Sequence, residues 1–165
     1  MIGTTRLAIG LSLALACGAA TSANAQLAAH KDLTLPIAVE MAETAVQTCT
    51  ANGNKVSVNV VGRGGEVLVA MRGDGTGPHT MENSMRKAYT SALQRRPSGE
   101  FATAAKDNPT IGALHLANMI PAQGALPIKV GNDTIGAIGV SGSPGGDKDE
   151  VCAKAGIDKV ADKLK

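Results

Sequence analysis

From Leu35 to Thr50 the apolar side chains fall at Ala38, Met41, Ala42, Ala45, Val46 and Cys49, a three-and-four spacing that predicts an amphipathic helix. Thr34 stands at the N-cap position with Pro36 in the first turn, and Asn52-Gly53 ends the segment. "KVSVNVV" then alternates Val56, Val58 and Val60 with Ser57 and Asn59, the pattern of a half-buried strand. "GRGGE" is a tight turn and "EVLVAM" a returning strand, so the two form a hairpin. A glycine-rich loop, "RGDGTGP", leads into a second helix from about His79 to Gln94. Its narrow apolar stripe is Met81, Met85, Ala88 and Ala92, and Pro97 closes it.

Beyond this helix the pattern is weaker. Glu100 to Lys106 predicts a short helical turn, and Pro109-Thr110 opens another short segment, "IGALHLANM". Leu126 to Val130, the turn Gly131-Asn132-Asp133 and Thr134 to Val140 predict a second hairpin. Its last strand, "TIGAIGV", is apolar on both faces, as expected of a central strand covered on both sides. "GVSGSPGG" lacks the spacing of a nucleotide fingerprint and reads as turn glycines before a final helix. That helix has Asp147 near its start and the stripe Ala153, Ile157, Val160 and Leu164. Helices and two hairpins in this order predict one α+β domain, an antiparallel sheet layered with helices.

The N-terminus changes the picture. Residues 1–25 carry one early cation, Arg6, an apolar run from Leu7 to Ala16 and the small-residue ending Ala23-Asn24-Ala25. This is the pattern of a cleavable signal peptide, with cleavage between Ala25 and Gln26 and a periplasmic or secreted product. Lipidation at Cys17 is the alternative, disfavoured by Ala14 where a larger aliphatic residue is preferred. Residues 26–165 then form the single domain. Cys49 and Cys152 remain, and an oxidising compartment leaves open both a disulfide and two buried thiols.

Charge and composition narrow the chemistry. The net charge of +2 falls to +1 when Arg6 leaves with the leader, so no basic face for nucleic acid is expected. There is no Trp, one Tyr (Tyr89) and one Phe (Phe101), which nearly excludes recognition of bases or sugars by stacking. His30, His79 and His115 fall into no Ser-His-Asp or Cys-His arrangement, and no carboxylate pair is set apart. What is left is a loop-to-helix cleft with Arg72, Arg86 and Lys87 around it and Met and His side chains nearby. Such a cleft suits an apolar ligand bearing carboxylates.

"RGDGTGPHTMENSMRKAYTSAL", "GALPIKVGNDTIGAIGVSGSPGGDKDE" and "CAKAGIDKVADKL" closely resemble the GlcG/HbpS-like family of heme-binding proteins, over essentially all of the chain from about Asp32. The resemblance implies a profilin-like fold, homo-oligomers from dimers to octamers, and a ligand that differs among members. Heme and iron, a glycolate-operon role and the C-terminal domain of the adenosyltransferase PduO all occur in the family. "GALHLAN" looks like the segment that carries a shared histidine in PduO-like members, which makes His115 the first candidate for an axial heme ligand. Thr110, in "NPT", is implied on the distal side, and Arg86 and Lys87, in the "RKA" helix, are implied to pair the propionates. His79 is a private feature or an alternative ligand. With so few aromatics, Met119, Leu114 and Leu116 would line the pocket.

One departure is visible. Where a secreted relative has an ExxE pair proposed to bind iron, this chain reads Glu82-Asn83-Ser84-Met85, and one carboxylate makes a poor iron site. The expected function is an exported protein that sequesters, carries or senses heme without requiring turnover, working with a sensor kinase or another exported partner. The alternatives are a binder or enzyme of small organic acids, with Arg72, Arg86 and Lys87 holding the carboxylate, and an oligomer that regulates a partner without a ligand.

Overall fold

The computed structural model describes residues 27–165; the leader and Cys17 lie outside the described residues. Helix α1, Leu35–Ala51, buries Ala38, Met41, Ala42, Ala45 and Cys49 of the stripe its periodicity singles out, and leaves Val46 partly buried at its border. Thr34 is extended at the N-cap, but its side chain caps nothing; only its carbonyl accepts, from the Ala38 N–H. Strands β1, Ser57–Gly62, and β2, Val67–Arg72, form the first hairpin, and β3, Ala125–Val130, and β4, Asp133–Ser141, the second. The two hairpins join through β1 and β4, giving an antiparallel sheet in the order β2-β1-β4-β3.

The central position of β1 corrects one expectation. All six of its residues are buried, not alternate ones. Val58 and Val60 enter the main core with Met41, Ile138 and Val140, beneath α1 and the C-terminal helix α4, Gly146–Lys159. Ser57 and Asn59 lie beneath helix α2, His79–Gln94, where polar contacts cover them. Ser57 Oγ is 2.7 Å from Thr80 Oγ1, and Asn59 Nδ2 donates to Ser84 Oγ at 2.8 Å and to the Met81 carbonyl at 3.1 Å. Polar groups tolerate such burial because they are hydrogen-bonded.

The stripe expected on α2 is also corrected. Met81 and Met85 stay partly exposed, whereas Thr80, Ser84, Lys87, Ala88, Thr90, Ser91 and Ala92 are buried. The helix is turned to present small and polar side chains, because the sheet face it meets is itself small and polar: Ser57, Asn59, Ala137, Gly139 and Ser141. Close approach follows from size. A Cβ on Gly139 would lie 2.2 Å from the Ser84 carbonyl oxygen and 2.7 Å from the Ala88 nitrogen. Gly139→Ala is therefore expected to destabilise the fold by about 1–3 kcal/mol, as overpacking does. A urea melt with an unchanged midpoint would contradict so tight a packing.

Helix α3, Ser98–Asp107, exceeds the expected turn and seats Phe101 in the interior. The segment after it forms only a 3₁₀ turn, Gly112–His115. Helix α4 is joined to α1 by a disulfide between Cys49 and Cys152, with Cα atoms 5.6 Å apart and both residues buried. Among the described residues no helix is long and apolar enough to cross a membrane.

Candidate functional site

Antiparallel pairing of β1 with β4 sets Ser57 opposite Ser141, so the loop after β2 and the loop after β4 meet at the same end of the sheet. Between them lies a cleft of about 540 Å³. One wall is the loop 73–78 with the face of α2 that carries His79, Asn83 and Lys87, four residues apart. The opposite wall is "SGSPGG", residues 141–146, and the first turn of α4. The Arg72 side chain braces the first loop, donating from Nε to Thr76 Oγ1 at 3.2 Å and from Nη2 to the Thr76 carbonyl at 2.8 Å. In the second loop Gly142 has φ +139°, and a Cβ there would strike the Lys55 carbonyl oxygen at 2.2 Å. Only glycine serves at that position.

The cleft floor holds a buried ion pair. Lys87 Nζ is 2.9 Å from Asp149 Oδ2, with side chains 6% and 3% exposed. Nζ also donates to the Val140 carbonyl at 3.1 Å, and Asp149 Oδ1 accepts from the Ser143 N–H at 3.0 Å. Burial of two charges is tolerated because each finds an opposite charge and a further hydrogen bond. At the far end of the sheet, half-buried Arg63 binds Asp133 through two 2.7 Å hydrogen bonds, which hold the carboxyl below its ordinary range and raise the guanidinium. Below the usual carboxylate range, as pH falls through the depressed value, whatever that pair contributes is lost.

The residues anticipated as one site divide into separate places. Lys87 and His79 line the cleft, Lys87 on its floor and His79 exposed at its edge. Lys87 is thus not the unpaired cation expected from the sequence, its charge being shared with Asp149. Arg72 is spent on its own loop. Arg86 leaves the cleft and donates from Nη2 to the Met119 carbonyl at 2.9 Å, with Glu82 3.6 Å from Nη1. Met119 is buried, at 2% exposure, and does not line the cleft. Thr110 and His115 are exposed on the connector between α3 and β3, where the Thr110 hydroxyl donates to Asn108 Oδ1 at 2.7 Å. Leu114 is half-buried there and Leu116 is 53% exposed. Among the described residues no group of three or more His, Cys, Asp or Glu side chains is placed to hold a metal ion.

Sequence reasoning missed Asp149, Ser141 and Lys55, and set the "SGSPGG" loop aside. The available signal was two glycine-rich loops, each following a strand. Nothing local says that these strands are neighbours.

Residues 33–158 match the profile of the family described as haem degrading protein HbpS-like. The chain belongs to the HbpS-like family. A crystal structure of HbpS is 36% identical, with 81% of this chain and 93% of that one covered and a TM-score of 0.76. A double Glu-to-Asp variant of Streptomyces reticuli HbpS is 31% identical over 93% and 97% of the two chains, TM-score 0.77. The PduOC:heme complex shares the fold at 20% identity, covering 78% and 95% of the chains with a TM-score of 0.71. The α+β, profilin-like architecture anticipated from the sequence is that of the HbpS-like structures.

Proposed function

We propose that this HbpS-like chain is an exported heme-binding protein that sequesters, carries or senses heme. Family membership carries the reading: residues 33–158 fall in the HbpS-like family, and PduOC, which shares the fold, forms a complex with heme. Export is supported by the signal-peptide pattern of residues 1–25 and by a buried disulfide, which persists in oxidising compartments.

Heme needs a ligand for iron, apolar contact for the ring and cations or water for the propionates. The polar cleft offers no large apolar wall. The connector suits heme better: His115 presents an exposed imidazole, Leu114 and Leu116 flank it in sequence, and Thr110 lies on the same segment. In this reading His115 holds the iron, Leu116 contacts the ring, and Arg86, 31% exposed at its side chain, is the cation available to a propionate. Heme supplies the redox and ligand-binding chemistry when bound. Because the connector is open to solvent, a second copy of the chain is proposed to complete the pocket, in keeping with the homo-oligomers the family resemblance implies.

Hemin titration of the chain from Gln26 tests this by absorption. A saturable histidine-type spectrum is expected for wild type and His79→Ala and is lost in His115→Ala. Equal, unsaturable spectra for all three would reject both the ligand and the heme reading.

A further inference from the structure

We propose that the cleft between α2 and α4 is a second binding site, for a small monocarboxylate. Its lining sets Lys55, Lys87 and His79 against one carboxylate, Asp149, so with histidine neutral the lining has a net charge of +1. The large side chains that would grip an apolar body are missing from it: apart from glycines, the only nonpolar lining residues are Ala122 and Pro144. The ligand it fits is small, polar and negatively charged.

The hydrogen bonds on the floor point the same way. A lysine ammonium has three N–H donors and no acceptor. Two of those of Lys87 go to Val140 O and Asp149 Oδ2, and among the described residues the third has no acceptor. Ser141 is 4% exposed, and its hydroxyl oxygen accepts from Asn83 Nδ2 at 3.3 Å while its proton has no acceptor among the described residues. Two donors on buried side chains of one cleft thus stand open, whereas the acceptors of Asp149 are both engaged. Donors in excess at a buried site call for a ligand that only accepts, and an ionised carboxylate does. The glycines at 142, 145 and 146 leave only the small side chains of Ser141, Ser143 and Pro144 on the facing wall. A dianion is disfavoured, because its second charge has only Lys55 and His79 to meet it and lies beside Asp149.

The site is independent of the heme reading, since neither His115 nor Thr110 lines the cleft. The test titrates the chain from Gln26 with acetate, lactate, malonate and inorganic phosphate at constant ionic strength, following backbone amide shifts by NMR. Asn83→Asp and Ser141→Ala serve as variants, since altering Lys87 endangers the fold; thermal melts verify that both are folded. The expected result is saturable shifts confined to residues 75–80 and 141–149 with acetate or lactate. Binding weakens at least about tenfold in Asn83→Asp, where a donor is replaced by a like charge, and about threefold or more in Ser141→Ala. Hemin titration of Asn83→Asp should match wild type. Saturation by phosphate or malonate but not by the monocarboxylates overturns the assignment of ligand. No saturable shift, or equal affinity in wild type and Asn83→Asp, overturns the site.

Discussion

Replacing Cys49 and Cys152 together by serine is expected to lower the unfolding free energy by about 2–5 kcal/mol. The two residues are 103 apart, so the bond closes a loop that spans most of the domain. In the chain-entropy account a loop of that length is worth about 4.7 kcal/mol, with native-state strain the usual reason for a smaller effect. The fold around the bond offers little relief: Cys49 and Cys152 are 0% and 1% exposed, in the core formed by α1, α4 and the sheet. A serine at 49 would find the Ser143 hydroxyl, which lies 3.6 Å from Cys49 Sγ, whereas one at 152 has no such neighbour among the described residues, which adds to the cost. For a domain of this size the loss corresponds to a fall in Tm of about 7–17 °C. Calorimetry of the oxidised protein beside the double serine variant measures it, and a Tm within about 2 °C of wild type would mean that the bond is dispensable.

The second large effect belongs to the cleft floor. Lys87→Met leaves the Asp149 carboxylate buried with only the Ser143 N–H for company, and a charge stranded in this way costs about 3–5 kcal/mol. Asp149→Leu strands the ammonium and should cost as much. The two losses should not add. In the double variant neither charge remains, and an apolar pair of similar volume is expected to recover most of the stability. Denaturant unfolding of all four proteins gives the coupling energy. Additive losses would show that the two side chains act separately, contrary to the 2.9 Å contact. The double variant should also lose the monocarboxylate while still folding, which separates the role of the pair in binding from its role in stability.

Much of the architecture is legible along the chain. The α1 stripe, both hairpins, the turn glycines and the covered central strand β4 match their patterns nearly residue for residue. These are local signals, in which a periodicity and its bounding turn residues lie within a dozen positions of one another. Where the pattern misleads, on β1 and α2, it is because a polar side chain reads as one that faces water. Ser57, Asn59, Thr80 and Ser84 in fact satisfy one another across the sheet–helix interface. The candidate site is less legible. The loop-to-helix junction before α2 was recognised, and so were its cations, yet two of the three turned out to be engaged elsewhere: Arg72 on its loop and Arg86 on Met119.

The sequence by itself determined the family, the order of elements, the leader pattern and the residue types available for chemistry, because each rests on contiguous motifs. Tertiary structure alone decided that Cys49 meets Cys152, that Lys87 meets Asp149 rather than solvent, and that "GDGTGPH" faces "SGSPGG". All three depend on β1 lying beside β4 and on how the helices pack over that sheet, α1 with α4 on one face and α2 on the other. Such pairings join residues tens of positions apart, and their energy comes from burying the two hairpins together. No single segment carries a trace of its partner.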